Sequence, residues 1–230
     1  MHIGKVMARM NPRSPQLGGV GGGRPELEST DIAGALAFVP PGLGRELLCR
    51  IWWPDGAALN AKELDKALME VQVEEWKNRM DLMVTAQIAE LQARTPIERA
   101  RTKAQLEACK ARIWPLPGVL DRRDTMHRNE TKTRYEAIRE AVLFEMSVAS
   151  RCAACSGRGS VRTTDGRIIS CSPCNGLGLV RISDRGRAKL IGRDESTYRD
   201  RWRPVYEFTL LRCQDAYGPA HRAYIKALGI

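Results

Sequence analysis

Four cysteines carry the most specific chemistry in this 230-residue chain. Cys152 and Cys155 make one Cys-x-x-Cys pair and Cys171 and Cys174 a second, with residues 156 to 170, 15 in all, between them. A Cys-x-x-Cys turn folds back on itself, so two thiolates meet one metal while backbone N–H groups point at the sulfurs. Two such knuckles complete the closed tetrahedral set that structural zinc prefers, and one structural zinc ion is expected here. Four thiolates leave no position for a reacting water, which argues against metal catalysis. A pair of reactive dithiols is the redox alternative. Glycines follow each knuckle, in Ser156-Gly157-Arg158-Gly159 and Asn175-Gly176-Leu177-Gly178, and tolerate the positive φ that such turns use. Cys49, Cys109 and Cys213 stand alone and read as buried thiols. His2, His127 and His221 have no ligand-like spacing.

The insert between the knuckles must hold them together. Ser160-Val161-Arg162-Thr163 and Arg167-Ile168-Ile169-Ser170 flank Asp165-Gly166, which reads as a β-hairpin. Behind it the chain turns basic. Residues 151–230 hold 15 Lys and Arg against 7 Asp and Glu, 15 − 7 = +8 of the formal +10. The first 150 residues hold the other 22 and 20, a net of +2. A solvated basic face is the plain reading; clustering after a metal site favours nucleic acid, and with the helix-turn-helix-like spacing that follows, double-stranded DNA is the expected partner.

Within that segment Ser183 or Asp184 can cap a helix to Ile191. Gly192 and Arg193-Asp194-Glu195-Ser196 make a turn, and a second helix follows with Tyr198, Arg199, Arg201, Trp202 and Arg203. Ala188 and Gly192 are spaced like the small residue and turn glycine of a helix-turn-helix. Arg187 and Arg193, however, fall where apolar residues are usual, and Pro204 is expected to kink or end the second helix. The candidate DNA contacts are Arg181, Arg185, Arg187, Lys189, Arg193, Arg199, Arg201 and Arg203, with Ser196, Thr197 and Tyr198 offering phosphate contacts at the helix start.

The remaining elements must carry these sites. Residues 1–30 are rich in Gly and Pro, with too few apolar side chains to offset ordering entropy. Ile32 to Trp53 reads as two short helices or turns, closed by a turn at Pro54-Asp55-Gly56. Asn60 and Glu63 form a capping box opening a helix to about Arg94, with Leu64, Leu68, Val71, Trp76, Met80, Met83 and Leu91 at near-helical spacing. Thr95-Pro96-Ile97-Glu98 starts a second helix to about Ile113. A third, from about Glu130 to Ala149 after a charged loop at Asp121 to Asn129, places Tyr135, Ile138, Val142 and Met146 on one face. These stripes read as core. The expected fold is mainly α: a helical bundle with a small zinc-binding β-hairpin module and a helix-turn-helix-like C-terminal part. It divides as 1–30, a helical domain 31–150, a zinc module 151–180 and a basic region 181–230. No stretch is apolar and long enough for a membrane helix, and the first residues lack the apolar core of a signal peptide. A cytoplasmic protein without a small-molecule substrate is expected.

The blocks Cys152-Ala-Ala-Cys-Ser-Gly-Arg-Gly and Cys171-Ser-Pro-Cys-Asn-Gly-Leu-Gly, then Arg181-Ile-Ser, Trp202-Arg-Pro-Val-Tyr-Glu and Cys213, resemble the late-gene antitermination protein Q family of lambda-like bacteriophages. The resemblance is close over about residues 150–217 and looser over 31–149. It implies a non-enzymatic factor in the host bacterial cytoplasm that binds a late-promoter DNA element. Such a factor engages paused host RNA polymerase through the β flap and σ factor region 4, then lets it read through terminators. The resemblance carries over the four cysteines and the basic helix around Tyr198 to Arg203, but no polymerase-contacting residue. Cys-x-x-Cys-x-Gly-x-Gly also resembles the repeat of DnaJ cysteine-rich domains. That family has four repeats and two zinc ions; here there are two repeats and no His-Pro-Asp. A zinc-stabilised DNA-binding repressor is the third reading.

Overall fold

Local capping signals set the helix boundaries. The computed structural model describes residues 29–53, 57–117, 133–147, 152–155, 160–163, 165–174, 180 and 182–229. Outside them lie residues 1–28, Pro54-Asp55-Gly56, the Asp121 to Asn129 loop, the glycine pairs after both knuckles, and Arg181. Of the helices or turns read over Ile32 to Trp53, the structure shows helices: α1 (Ser29–Ala37) and α2 (Leu43–Trp52). The long helix α3 (Ala61–Gln92) opens on the Asn60–Glu63 capping box: Glu63 N–H donates to Asn60 Oδ1 at 3.0 Å, and Asn60 N–H to Glu63 Oε2 at 2.8 Å. Helix α4 (Pro96–Ala111) opens on a second such box, between Thr95 and Glu98. Helix α5 (Arg134–Met146) is shorter than expected, but Tyr135, Ile138, Val142 and Met146 are all buried.

The stripe on α3 is only partly core. Leu64 and Leu68 are buried, whereas Leu91 is 86% exposed, as is much of the surrounding helix. A fully buried Gln72 sits in the same helix.

Strands β1 (Ser160–Arg162) and β2 (Ile168–Ser170) pair antiparallel, with Ser160 opposite Ser170 and Val161 opposite Ile169. Gly166 takes φ +83° and donates its N–H to the Thr163 carbonyl at 3.0 Å, while Thr163 N–H donates to Arg167 at 2.9 Å. The Asp165-Gly166 signal thus marks the end of a longer loop, with glycine at the left-handed position.

The basic segment forms α6 (Asp184–Leu190), a single turn α7 (Glu195–Thr197), a π-helical turn Tyr198–Trp202, and α8 (Arg203–Ala227). Pro204 does not end the helix. It lacks an N–H to place, and the backbone widens just before it, Arg203 N–H reaching the Tyr198 carbonyl five residues back. From Arg203 a single helix, α8, runs to Ala227 and also contains Pro219.

The chain groups into two compact units, each built from separated stretches rather than consecutive blocks. One comprises residues 1–64, 142–183 and 210–230; the other comprises residues 65–141 and 184–209. In the first, Ala35, Leu36, Val39, Leu48, Cys49, Ala220, Tyr224 and Leu228 form a core. Gly44 of α2 lies so close to α8 that a Cβ there would stand 2.1 Å from the Ala216 carbonyl oxygen. In the second, edge-to-face pairs Trp114–Phe208, Tyr135–Trp202 and Tyr198–Tyr206 dominate. A buried polar chain crosses that unit. Arg139 grips both Asp65 oxygens at 2.5 and 2.7 Å and donates to Gln72 at 3.0 Å; Gln72 donates to Thr209 at 2.8 Å.

Candidate metal centre and basic segment

Cys152, Cys155, Cys171 and Cys174 are all buried, and their sulfurs lie within 4.8 Å of one another. Cys152 Sγ is 3.8 Å from Cys171 Sγ, and Cys155 Sγ is 3.7 Å from Cys174 Sγ. Disulfide sulfurs would be about 2 Å apart. Sulfurs each about 2.3 Å from a central zinc stand about 3.8 Å apart in a tetrahedron. The donor set and its spacing therefore fit a closed four-thiolate metal site. The first knuckle is a turn at Cys152 to Cys155 and the second a 3-10 turn over Ser172–Cys174. Val161 of β1 packs against the sulfurs, so the hairpin covers the cluster it joins. Burial, followed by hydrogen bonds from neighbouring thiols, pushes the Cys171 thiol up to about 12. A metal binding there displaces protons.

The lone cysteines differ in burial. Cys49 and Cys213 are buried, and burial pushes their thiols up, Cys213 to about 12; Cys109 is half-buried. His221 stacks on Tyr217 rather than joining a metal set, and burial lowers its pKa.

Residues 184–209 of the basic segment belong to the other unit, and the structure sorts their side chains. Helix α6 ends in a Schellman motif: Gly192 takes φ +67° and bonds to Lys189, while Arg193 N–H reaches the Ala188 carbonyl at 2.8 Å. Arg134 Nη1 adds a bond to the Ile191 carbonyl at 2.6 Å, a cation where the helix dipole favours one. Asp194 caps the next helix, accepting from Thr197 N–H at 2.8 Å and Thr197 Oγ1 at 2.7 Å. Those bonds, the backbone one foremost, lower the Asp194 pKa to about 2.

Two of the expected DNA contacts are buried instead. Arg187 is fully buried, its guanidinium 4.8 Å from the Tyr206 ring centre, and Tyr198 is buried against Tyr206. A planar guanidinium can stack on an aromatic face as an ammonium cannot, which lets arginine occupy an apolar position of the helix pair. Arg193 is half-buried, and Thr197 spends its hydroxyl on Asp194. Arg185, Lys189, Ser196, Arg199, Arg201 and Arg203 are exposed. Arg199 pairs with Glu195 and lies 4.0 Å from Asp184; Arg203 pairs with Glu207 at 3.0 Å and Asp184 at 3.5 Å. Arg201 sits beside the Trp202 ring. Arg185 and Lys189, one turn apart on α6, carry no ion pair among the described residues. Residues 184–209 hold seven Lys and Arg against five Asp and Glu, 7 − 5 = +2, so most of the +8 lies elsewhere in 151–230.

A feature that sequence reading passed over is a cleft of about 350 Å³ lined by Arg94, Pro96, Arg99, Ala100 and Lys103. Its signal was local charge, diluted in the count over 150 residues. No described helix is long and apolar enough to cross a membrane. Comparison of the chain with family models, curated proteins and solved structures finds no match.

Proposed function

We propose that this chain is a zinc-stabilised, DNA-binding transcription antitermination factor, acting on host RNA polymerase at a phage late promoter. What supports the reading first is the four-sulfur cluster, whose spacing suits zinc and whose closed donor set makes the metal a structural part, not a reagent. The second support is the capped helix pair in the basic segment, with Arg185, Lys189 and Arg201 exposed and Arg185 and Lys189 without an ion pair among the described residues. The third is the sequence resemblance over residues 150–217, which supplies the polymerase and its β flap and σ contacts. No reaction is assigned to the chain.

A DnaJ-like zinc chaperone module is the second reading, and one observation favours it. Ile168 and Ile169 on the zinc hairpin are 70% and 48% exposed, the kind of apolar surface that holds an unfolded segment. A zinc-stabilised repressor shares the DNA-binding half of the proposal.

The deciding experiment is transcription in vitro across an intrinsic terminator from a template with the cognate late promoter. Readthrough that requires both the protein and its promoter element is expected. Promoter-dependent loss of transcript would indicate repression, and no effect on any template would leave the chaperone reading standing.

A further inference from the structure

Residues 93–112 hold Arg94, Arg99, Arg101, Lys103, Lys110 and Arg112 against Glu98 and Glu107, 6 − 2 = +4. The other residues of the first 150 therefore sum to −2. Three of these cations, Arg94, Arg99 and Lys103, line the cleft at the α3–α4 turn. Arg99 and Lys103 stand one helical turn apart, about 6 Å along the axis, on one side of α4. All three are exposed, and none makes a side-chain hydrogen bond or ion pair among the described residues. The local acids are engaged elsewhere. Glu98 accepts from the backbone N–H groups of Arg94 and Thr95, both at 3.1 Å, which lowers its pKa; Glu107 pairs with Lys110 at 2.8 Å. Three neighbouring positive charges outnumber the two acids beside them, Glu98 at the cap and Glu107 one turn on from Lys103, and a multivalent anion relieves the remaining repulsion. The Glu98 cap already fills the helix terminus, so the cleft's anion preference comes from its side chains.

We infer that the Arg94–Arg99–Lys103 cleft is a phosphate-binding site that takes the sugar-phosphate backbone of a nucleic acid. An open cleft with a row of cations suits a continuous chain of phosphates better than one enclosed anion. The inference rests on the nucleic-acid half of the proposed function but uses residues of another segment. The site positions a strand through charge on its phosphates, a part that lysine can fill as well as arginine.

The test is binding of the full chain to a fluorescent 20-bp duplex of arbitrary sequence across a salt series. Arg94→Ala/Arg99→Ala/Lys103→Ala should lower affinity about tenfold or more at 0.1 M salt and flatten the log–log salt slope by about 1 to 3. Arg94→Lys/Arg99→Lys should restore most of the binding, because point charges suffice for phosphate. An unchanged slope and affinity in the triple variant overturns the site. A parallel Arg185→Ala/Lys189→Ala variant separates the two claims. If it alone weakens binding, the cleft fails and the basic segment stands; if the triple variant alone does so, the reverse holds. Inorganic pyrophosphate should compete at millimolar concentration against the wild type only. Cation-dependent binding to phosphatidylserine vesicles without any effect on duplex binding would assign the cleft to membranes and overturn the proposal.

Discussion

Arg187 and Lys189 are two residues apart on α6 and play opposite parts. Lys189 is exposed and carries no ion pair among the described residues, whereas Arg187 is buried under Tyr206. Lys189→Ala should leave stability within about 0.5 kcal/mol of wild type while weakening duplex binding and lowering the salt slope by about 1. Arg187→Ala should instead cost on the order of 3 kcal/mol through the lost packing and ring contact, as read from urea denaturation midpoints. Equal stability of the two variants would refute this division. Asp194 gives a residue-scale pH effect. Its folded pKa, about 2, lies below the unfolded carboxylate's value of about 3.9. The cap's contribution is thus complete above about pH 4 and drains away as pH falls toward about 2. Asp194→Asn keeps an acceptor but does not titrate, so its stability difference from wild type should vary across that window and be constant above it.

At the scale of elements, the helix starts read at Asn60 and Thr95 are the ones found, because a cap depends only on residues three or four positions apart. The α3 stripe read as core is buried at Leu64 and Leu68 but exposed at Leu91. Contacts between distant segments were not legible in the same way. The Arg139–Asp65–Gln72–Thr209 chain joins α3, α5 and α8 across sequence separations of 74, 67 and 137 residues, and no local pattern announces it. Arg187 is an intermediate case: its place at an apolar position of the helix pair signalled burial, but its charge suggested DNA. Of the two outcomes read for Pro204, it does not end the helix; the π turn at Tyr198–Trp202 just before it accommodates a residue that has no N–H to give. Gly44 gave no sign at all. Its reason is the approach of α8, and Gly44→Ala forces the Ala216 backbone to move. That variant should lose about 1–3 kcal/mol and several degrees of Tm despite the better helix propensity of alanine. A Tm at or above wild type would mean that the two helices can separate without cost.

For the whole molecule, the decisive property is how few of the described apolar residues pack on the metal site. Its four sulfurs are buried against each other, and Val161 is the partly buried apolar residue packed on them among the described residues. The other unit has its own aromatic core around Tyr135, Tyr198, Trp202 and Tyr206 and its own polar chain through Arg139. Neither needs a thiolate. Two short strands and two knuckles, by contrast, bury too little apolar surface to hold a hairpin without an added tie. Removing the metal with a chelator under reducing conditions should therefore act locally. Hydrogen exchange read by mass spectrometry should show residues 152–174 losing protection, while amides of Ile138, Trp202 and Tyr206 exchange at wild-type rates. Cys171→Ser should reproduce that pattern without chelator and bind less than one metal ion per chain. If Ile138 and Trp202 lose protection together with the hairpin, the metal supports the fold as a whole. The basic helices then depend on it, and the loss of duplex binding on chelation should equal that caused by unfolding.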